Sequence, residues 1–189
     1  MKQVIGVIAA VGMLGVLPAT ANEYEEQLTA LANGKIAEIV QSSVVVDAIM
    51  AQNAETGSYD QAKIDSLDQQ WRAEVDASSR PLIDEVLARD ASAFLLEQQE
   101  ASQGLFTEIF AMDAKGLNVG QSGVTSDYWQ GDEGKWQNSF GGGAGAIDIG
   151  DIEEDESTQT FQSQVSVPVV DASGNPIGAV TFGVNVEML

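Results

Sequence analysis

Between Thr125 and Trp136 the chain reads Thr-Ser-Asp-Tyr-Trp-Gln-Gly-Asp-Glu-Gly-Lys-Trp, and two of its three tryptophans fall there. Tyr128, Trp129 and Trp136 can supply flat apolar walls, while Asp127, Gln130 and Asp132 add donors and acceptors, the combination that orients a ligand in a small-molecule pocket. An aromatic face beside Asp127, Asp132 and Glu133 suits an amine or quaternary ammonium group through cation–π attraction. A carboxylate would instead need Lys135 or backbone donors. The competing reading is a packed cap whose indoles fill core.

Other chemistry is excluded by composition. With no histidine and no cysteine, the chain cannot assemble a Ser-His-Asp or Cys-His centre, a helical zinc site or a thiolate metal site. Gly141 to Gly145 lacks the Lys-Ser/Thr of a phosphate-binding loop and reads as a flexible connection. Nothing singles out an acid/base pair among the 29 acids, so no enzyme activity and no cofactor are expected. The run Asp148, Asp151, Glu153, Glu154, Asp155, Glu156 offers oxygen ligands to a hard cation, with Asp151, Glu153 and Asp155 as weak metal candidates. Its spacing is not that of an EF-hand loop, and a solvated connection is the simpler reading. The formal net charge of −21 argues against nucleic acid and anionic lipid as partners.

Hydrophobic spacing indicates the elements that must carry these residues. Leu28, Leu31, Ile36, Ile39, Val40, Val44, Ile49 and Met50 predict one long helix from Tyr24 to about Gln52. Ile64, Leu67, Trp71 and Val75 form the stripe of a second, from Tyr59 or Asp60 to Asp76. A third is capped by Ser78 or Ser79, carries Pro81 in its first turn and runs to about Ala101. Beyond Gly104 the period changes to that of strands: a hairpin (Leu105 to Met112, Leu117 to Gln121), a third strand (Ala146 to Ile152), then Thr158 to Val170 and Ile177 to Val186. Pro168 marks an edge or bulge near the end of the fourth. The expected fold is α+β: a long amino-terminal helix and further helices over residues 22–103, then an antiparallel sheet of about five strands over 104–189, together one domain.

The order of elements and the wording of the strands resemble an extracytoplasmic Cache domain, a PAS-like sensor module. The resemblance rests on the long helix, the hairpin Phe106 to Gly120, the segment Ser126 to Glu133, and the pair Gln164-Val-Ser-Val-Pro-Val-Val-Asp171 and Gly174-Asn-Pro-Ile-Gly-Ala-Val180. It implies a sheet that holds a small ligand beneath a cap formed by the segment after the second strand; the ligand expected here is an amine, amino acid or organic acid. The family's amino-acid-binding pattern needs a suitably placed arginine, and Arg72, Arg80 and Arg89 all lie upstream in the helices, so ligand identity stays open.

Lys2, the apolar run Val4 to Leu17 and the small residues Ala19-Thr20-Ala21 predict a cleaved signal peptide over residues 1–21, the run being shorter than the roughly 20 residues of a spanning helix. The expectation is a stand-alone periplasmic or secreted binding protein that could present its ligand to a membrane receptor. Two alternatives stand beside it: a module that pairs through its long helix, as a homodimer or with a receptor, using Leu28, Leu31, Ile39 and Val46, and a divalent-cation-sensing acidic domain.

Overall fold

The computed structural model describes residues 22–155 and 160–189, so the expected signal peptide lies outside the described residues. The long amino-terminal helix is present but interrupted. Helix α1 (Glu25–Leu31) widens into one π-helical turn (Ala32–Ile36) and continues as α2 (Ala37–Val40). At Ser42 the backbone turns extended and the side chain accepts from Val45 N, starting α3 (Ser43–Thr56) afresh. A serine that caps its own helix start competes with helix continuation, which is why apolar spacing alone missed the break.

Helix α4 (Gln61–Val75) begins at Asp60, whose carboxylate caps Lys63 N. The expected third helix is two, α5 (Pro81–Leu87) and α6 (Asp90–Ala101). The cap of α5 comes from across the turn rather than from Ser78 or Ser79: Glu74 of α4 accepts from Leu82 N at 2.8 Å and Ile83 N at 3.1 Å. Burial alone would raise the Glu74 carboxyl pKa. The hydrogen bonds from Gln70, Ile83 and Leu82, with the charge of Arg80, outweigh that and hold it below its ordinary value. A depressed carboxyl stabilises the fold above its unfolded pKa, about 4.3, and that contribution fades as pH falls through the folded value. Urea denaturation across pH 2.5–6 should therefore show a shallower acid limb in Glu74→Gln than in the parent; parallel limbs would remove Glu74 as a source of acid sensitivity.

Five antiparallel strands follow: β1 (Phe106–Asp113), β2 (Asn118–Gln121), β3 (Asp148–Asp155), β4 (Thr160–Val170) and β5 (Pro176–Asn185), ordered β2-β1-β5-β4-β3. The fold is α+β and PAS-like. Strand alternation separates two faces. Ile109, Ala111, Val165, Val167, Val180, Phe182 and Val184 join Leu28, Ile36, Ile39, Val45 and Ile49 in the main core. Leu28 is fully buried and Ile39 is 5% exposed, while Leu31 and Val46 are half-buried against the same cluster, so most of the stripe expected to reach a partner packs on the chain's own sheet. The opposite face carries Phe110, Met112 and Ala179 beneath Trp136 and Phe140. A smaller core of Ile64, Trp71, Ile83, Val86, Leu117 and Tyr128 joins α4 and α5 to the segment after β2.

The third strand starts and ends later than expected and runs through the acids. Asp148 pairs with Ser166 and Glu153 with Gln162, so much of the run expected as a connection is an edge strand, with a bulge between Ile149 and Ile152. Its pairing to β4 stops at Ser166, which leaves Pro168 on a locally unpaired side, where proline costs no ladder bond. Among the described residues no helix is long and apolar enough to cross a membrane.

Candidate functional site beneath the cap

The residues between β2 and β3 fold over the sheet face turned away from the main core. Their backbone is pinned to the β1–β2 hairpin: Asn118 N donates to Tyr128 O at 3.0 Å and Gln130 N to Gly116 O at 2.8 Å. Helix α4 grips the same segment from outside. Asp68 Oδ1 accepts from the amides of Tyr128 (2.9 Å) and Trp129 (3.1 Å), while Arg72 bonds Asp68 at 2.7 Å and Asp127 at 3.0 Å. A short helix that the sequence did not suggest, α7 (Gly134–Ser139), completes the cap.

The structure divides the expected site residues between two sides. Tyr128 is 4% exposed and stacks on Trp71 with centroids 5.3 Å apart, facing the α4–α5 core, where burial pushes its phenol up to about 12. Trp129 packs on the edge of that core and donates its indole N–H to Lys115 O at 2.8 Å. Trp136 lies on the sheet, with its ring 4.9 Å from Phe140 and its N–H donated to Asp113 O at 3.1 Å. Asp132 is exposed. Asp127 is buried and already paired, Oδ2 to Arg72 and Oδ1 to the Gln130 amide. An upstream arginine is therefore placed at the segment after all, on its outer side.

Beneath the cap lies a network of amide side chains. Asn118 Nδ2 donates to Thr125 Oγ1 (2.9 Å), Asp127 O (3.1 Å) and Gln121 Oε1 (3.2 Å), and Gln130 Nε2 donates to Asp127 O (3.3 Å) and Asp127 Oδ1. Asn118, Gln121 and Gln130 are each at most 1% exposed, yet Asn118 Oδ1, Gln121 Nε2 and Gln130 Oε1 have no partner among the described residues. A buried polar atom left unpaired costs about 1–3 kcal/mol, so three in one network call for partners that the described side chains do not supply. Lys135 borders it, its ammonium 5.3 Å above the Phe110 ring and 2.8 Å from Glu133. Asn118 and Gln121 of β2, and Phe110 of β1, were missed from the sequence; the available signal was a strand, Asn-Val-Gly-Gln, with an amide at each end and Asn118 set between Leu117 and Val119.

A cleft of about 630 Å³ lies elsewhere, on the helical side between α3 and the α5–α6 corner. Its Arg89 is committed to Gln52 Oε1 (2.7 Å), Val119 O (3.0 Å) and Glu85 (2.9 Å), and no unpaired buried atom lies along it. The network beneath the cap, with its three unpaired atoms, is the stronger candidate. On the acidic strand, among the described residues, no three or more carboxylates are gathered as a metal site.

No family model matches the chain, and no curated protein matches it in sequence. Solved structures similar in arrangement include the sensor domain of the histidine kinase DctB from V. cholerae, with TM-score 0.45 and 14% identity over 87% of this chain and 55% of that one. A second is the ligand-binding domain of the Campylobacter jejuni chemoreceptor Tlp3 in complex with L-valine, with TM-score 0.40 and 11% identity over 92% of this chain and 66% of that one. The E. coli DcuS sensor domain gives TM-score 0.38 and 15% identity over 67% of this chain and 89% of that one. This chain thus spans about half the length of the V. cholerae domain. These neighbours are sensor domains.

Proposed function

We propose that this chain is a sensor-type binding protein that captures a small solute between the cap, residues 125–140, and the outer face of its sheet. One observation carries the reading: three buried amide side chains, each with an unpaired polar atom, share a single network beneath the cap. In this reading residues 22–103 and 104–189 form one structural unit, residues 1–21 are a cleaved signal peptide, and the protein works in the periplasm or outside the cell without catalysing a reaction. Asp127, Gln130 and Trp136 reach the ligand or hold the groups that do. Tyr128 and Trp129 anchor the cap to α4 and α5, and Asp132 stays at the rim. A membrane receptor that reads the occupied state fits the grip of α4 on the cap.

Thermal-shift screening of the purified protein against amines, amino acids, organic acids and carboxamides tests the reading. A ligand that binds only the native state stabilises it by about 2.7 kcal/mol at a hundred times its Kd. Replacing Trp136 by alanine opens the cap over Phe110 and should weaken a hit at least about tenfold, or 1.4 kcal/mol. Hits that bind Trp136→Ala and Gln130→Ala as tightly as the parent would place the ligand elsewhere, with the helical cleft at Arg89 the next candidate.

A further inference from the structure

The orientation of each amide beneath the cap is set by its neighbours. Asn118 Nδ2 faces the carbonyl of Asp127, which can only accept, so its Oδ1 is the free atom. Gln121 Oε1 receives Asn118 Nδ2, which leaves Gln121 Nε2 free, and Gln130 Nε2 faces the backbone O and the Oδ1 of Asp127, which leaves Gln130 Oε1 free. The unpaired set is therefore two acceptors and one N–H donor. Its charged neighbours are already engaged with one another: Asp127 and Asp68 share Arg72, and Lys135 is paired with Glu133.

Resting on the reading of the cap as a ligand site, we infer that the ligand is an uncharged primary carboxamide or its urea analogue. Such a group presents two N–H donors to Asn118 Oδ1 and Gln130 Oε1, and one carbonyl to Gln121 Nε2. A carboxylate would set its oxygens against two acceptors, and an alkylammonium would leave the Gln121 donor unpaired; each mismatch strands a buried polar group. The substituent on the amide has somewhere to go. A cleft of about 400 Å³ is walled by Thr125, whose hydroxyl belongs to the network, and by Phe110, the cross-strand partner of Gln121. The carboxylate in its wall, Glu108, is held by Gln164 at 2.8 Å.

Propionamide, propionate and propylammonium are near-isosteric and separate these classes. Each is titrated into the isotope-labelled protein while the side-chain NH₂ resonances of Asn118, Gln121 and Gln130 are followed. The expected result is that propionamide binds at least tenfold more tightly than either ion and shifts the Gln121 NH₂ signals. Gln121→Glu, which keeps the acceptor for Asn118 but removes the free donor, should lose propionamide at least tenfold and gain propylammonium. If an ion binds as tightly as propionamide and moves the same resonances, the carboxamide assignment falls and the cap site stands. Binding that leaves all three side chains unmoved overturns both. Should propionamide fail to bind while another class from the screen moves the three side chains, the carboxamide assignment alone falls; if no class moves them, both do.

Discussion

Asp113→Ala should destabilise the protein by about 3–5 kcal/mol, since it removes the hub of a buried hydrogen-bond network that includes a charged acceptor. Asp113 is fully buried at the end of β1, and four donors converge on it: Gln52 Nε2 (3.0 Å), Thr56 Oγ1 (2.7 Å), Lys115 N (2.8 Å) and Leu117 N (3.0 Å). Two come from α3 and two from the turn that opens β2, so one side chain fixes helix, hairpin and, through its carbonyl, Trp136 of the cap. Alanine strands the Lys115 and Leu117 amides and leaves Gln52 Nε2 and Thr56 Oγ1 only their backbone acceptors, Leu117 O and Asn118 O for the one and Gln52 O for the other. At about 2–4 °C per kcal/mol for a chain of this size, melting should fall by roughly 10 °C. Circular dichroism melts of parent, Asp113→Asn and Asp113→Ala decide it. The asparagine keeps one acceptor and should fall between, and an alanine variant within 1 kcal/mol of the parent would show the network to be dispensable.

Gly116→Ala should cost about 2–4 kcal/mol, combining left-handed backbone strain with a steric overlap. Gly116 sits at φ +80°, and a Cβ there would lie 2.5 Å from both Cα and N of Gly131 in the cap. The hairpin turn and the cap would have to separate, which breaks the bond from Gln130 N to Gly116 O and withdraws Gln130 from the amide network. Ligand binding should therefore be lost along with stability. Gly174→Ala is the internal control, because φ is +82° there but nothing lies within 4 Å of the added carbon. Urea denaturation of both variants separates the two effects. Equal losses would mean that backbone strain accounts for everything and that the cap tolerates the contact.

Elements with a long periodic stripe were legible in the sequence. The α4 stripe of Ile64, Leu67 and Trp71 and the β-branched run of β5 appear where expected because burial of one face decides both. Breaks set by a single polar side chain were less so. Ser42 stops α2, and Glu74 replaces Ser78 and Ser79 as the cap of α5 from eight residues away, a choice fixed only once α4 and α5 pack. Tyr128 and Trp129 illustrate the same limit at the site: their composition announces a pocket wall, but Trp71 and Lys115 O determine which way they face. Asn118 and Gln121 gave little signal, since whether a buried amide is satisfied depends on neighbours distant in the chain.

The two borders of the sheet differ in a way that bears on how copies of this protein treat each other. At the entry to β2 the backbone of Tyr128 and Gln130 already occupies Asn118 N and Gly116 O, groups that a foreign strand would seek. At β3, among the described residues, no further strand is paired, and the strand carries Asp148, Asp151, Glu153 and Glu154. Two such borders approaching to the roughly 4.8 Å of a strand pair would bring like charges close together. The acids that suggest a cation trap in the sequence thus form an electrostatic fence against fibre-like self-templating, the natural remedy for an uncapped strand.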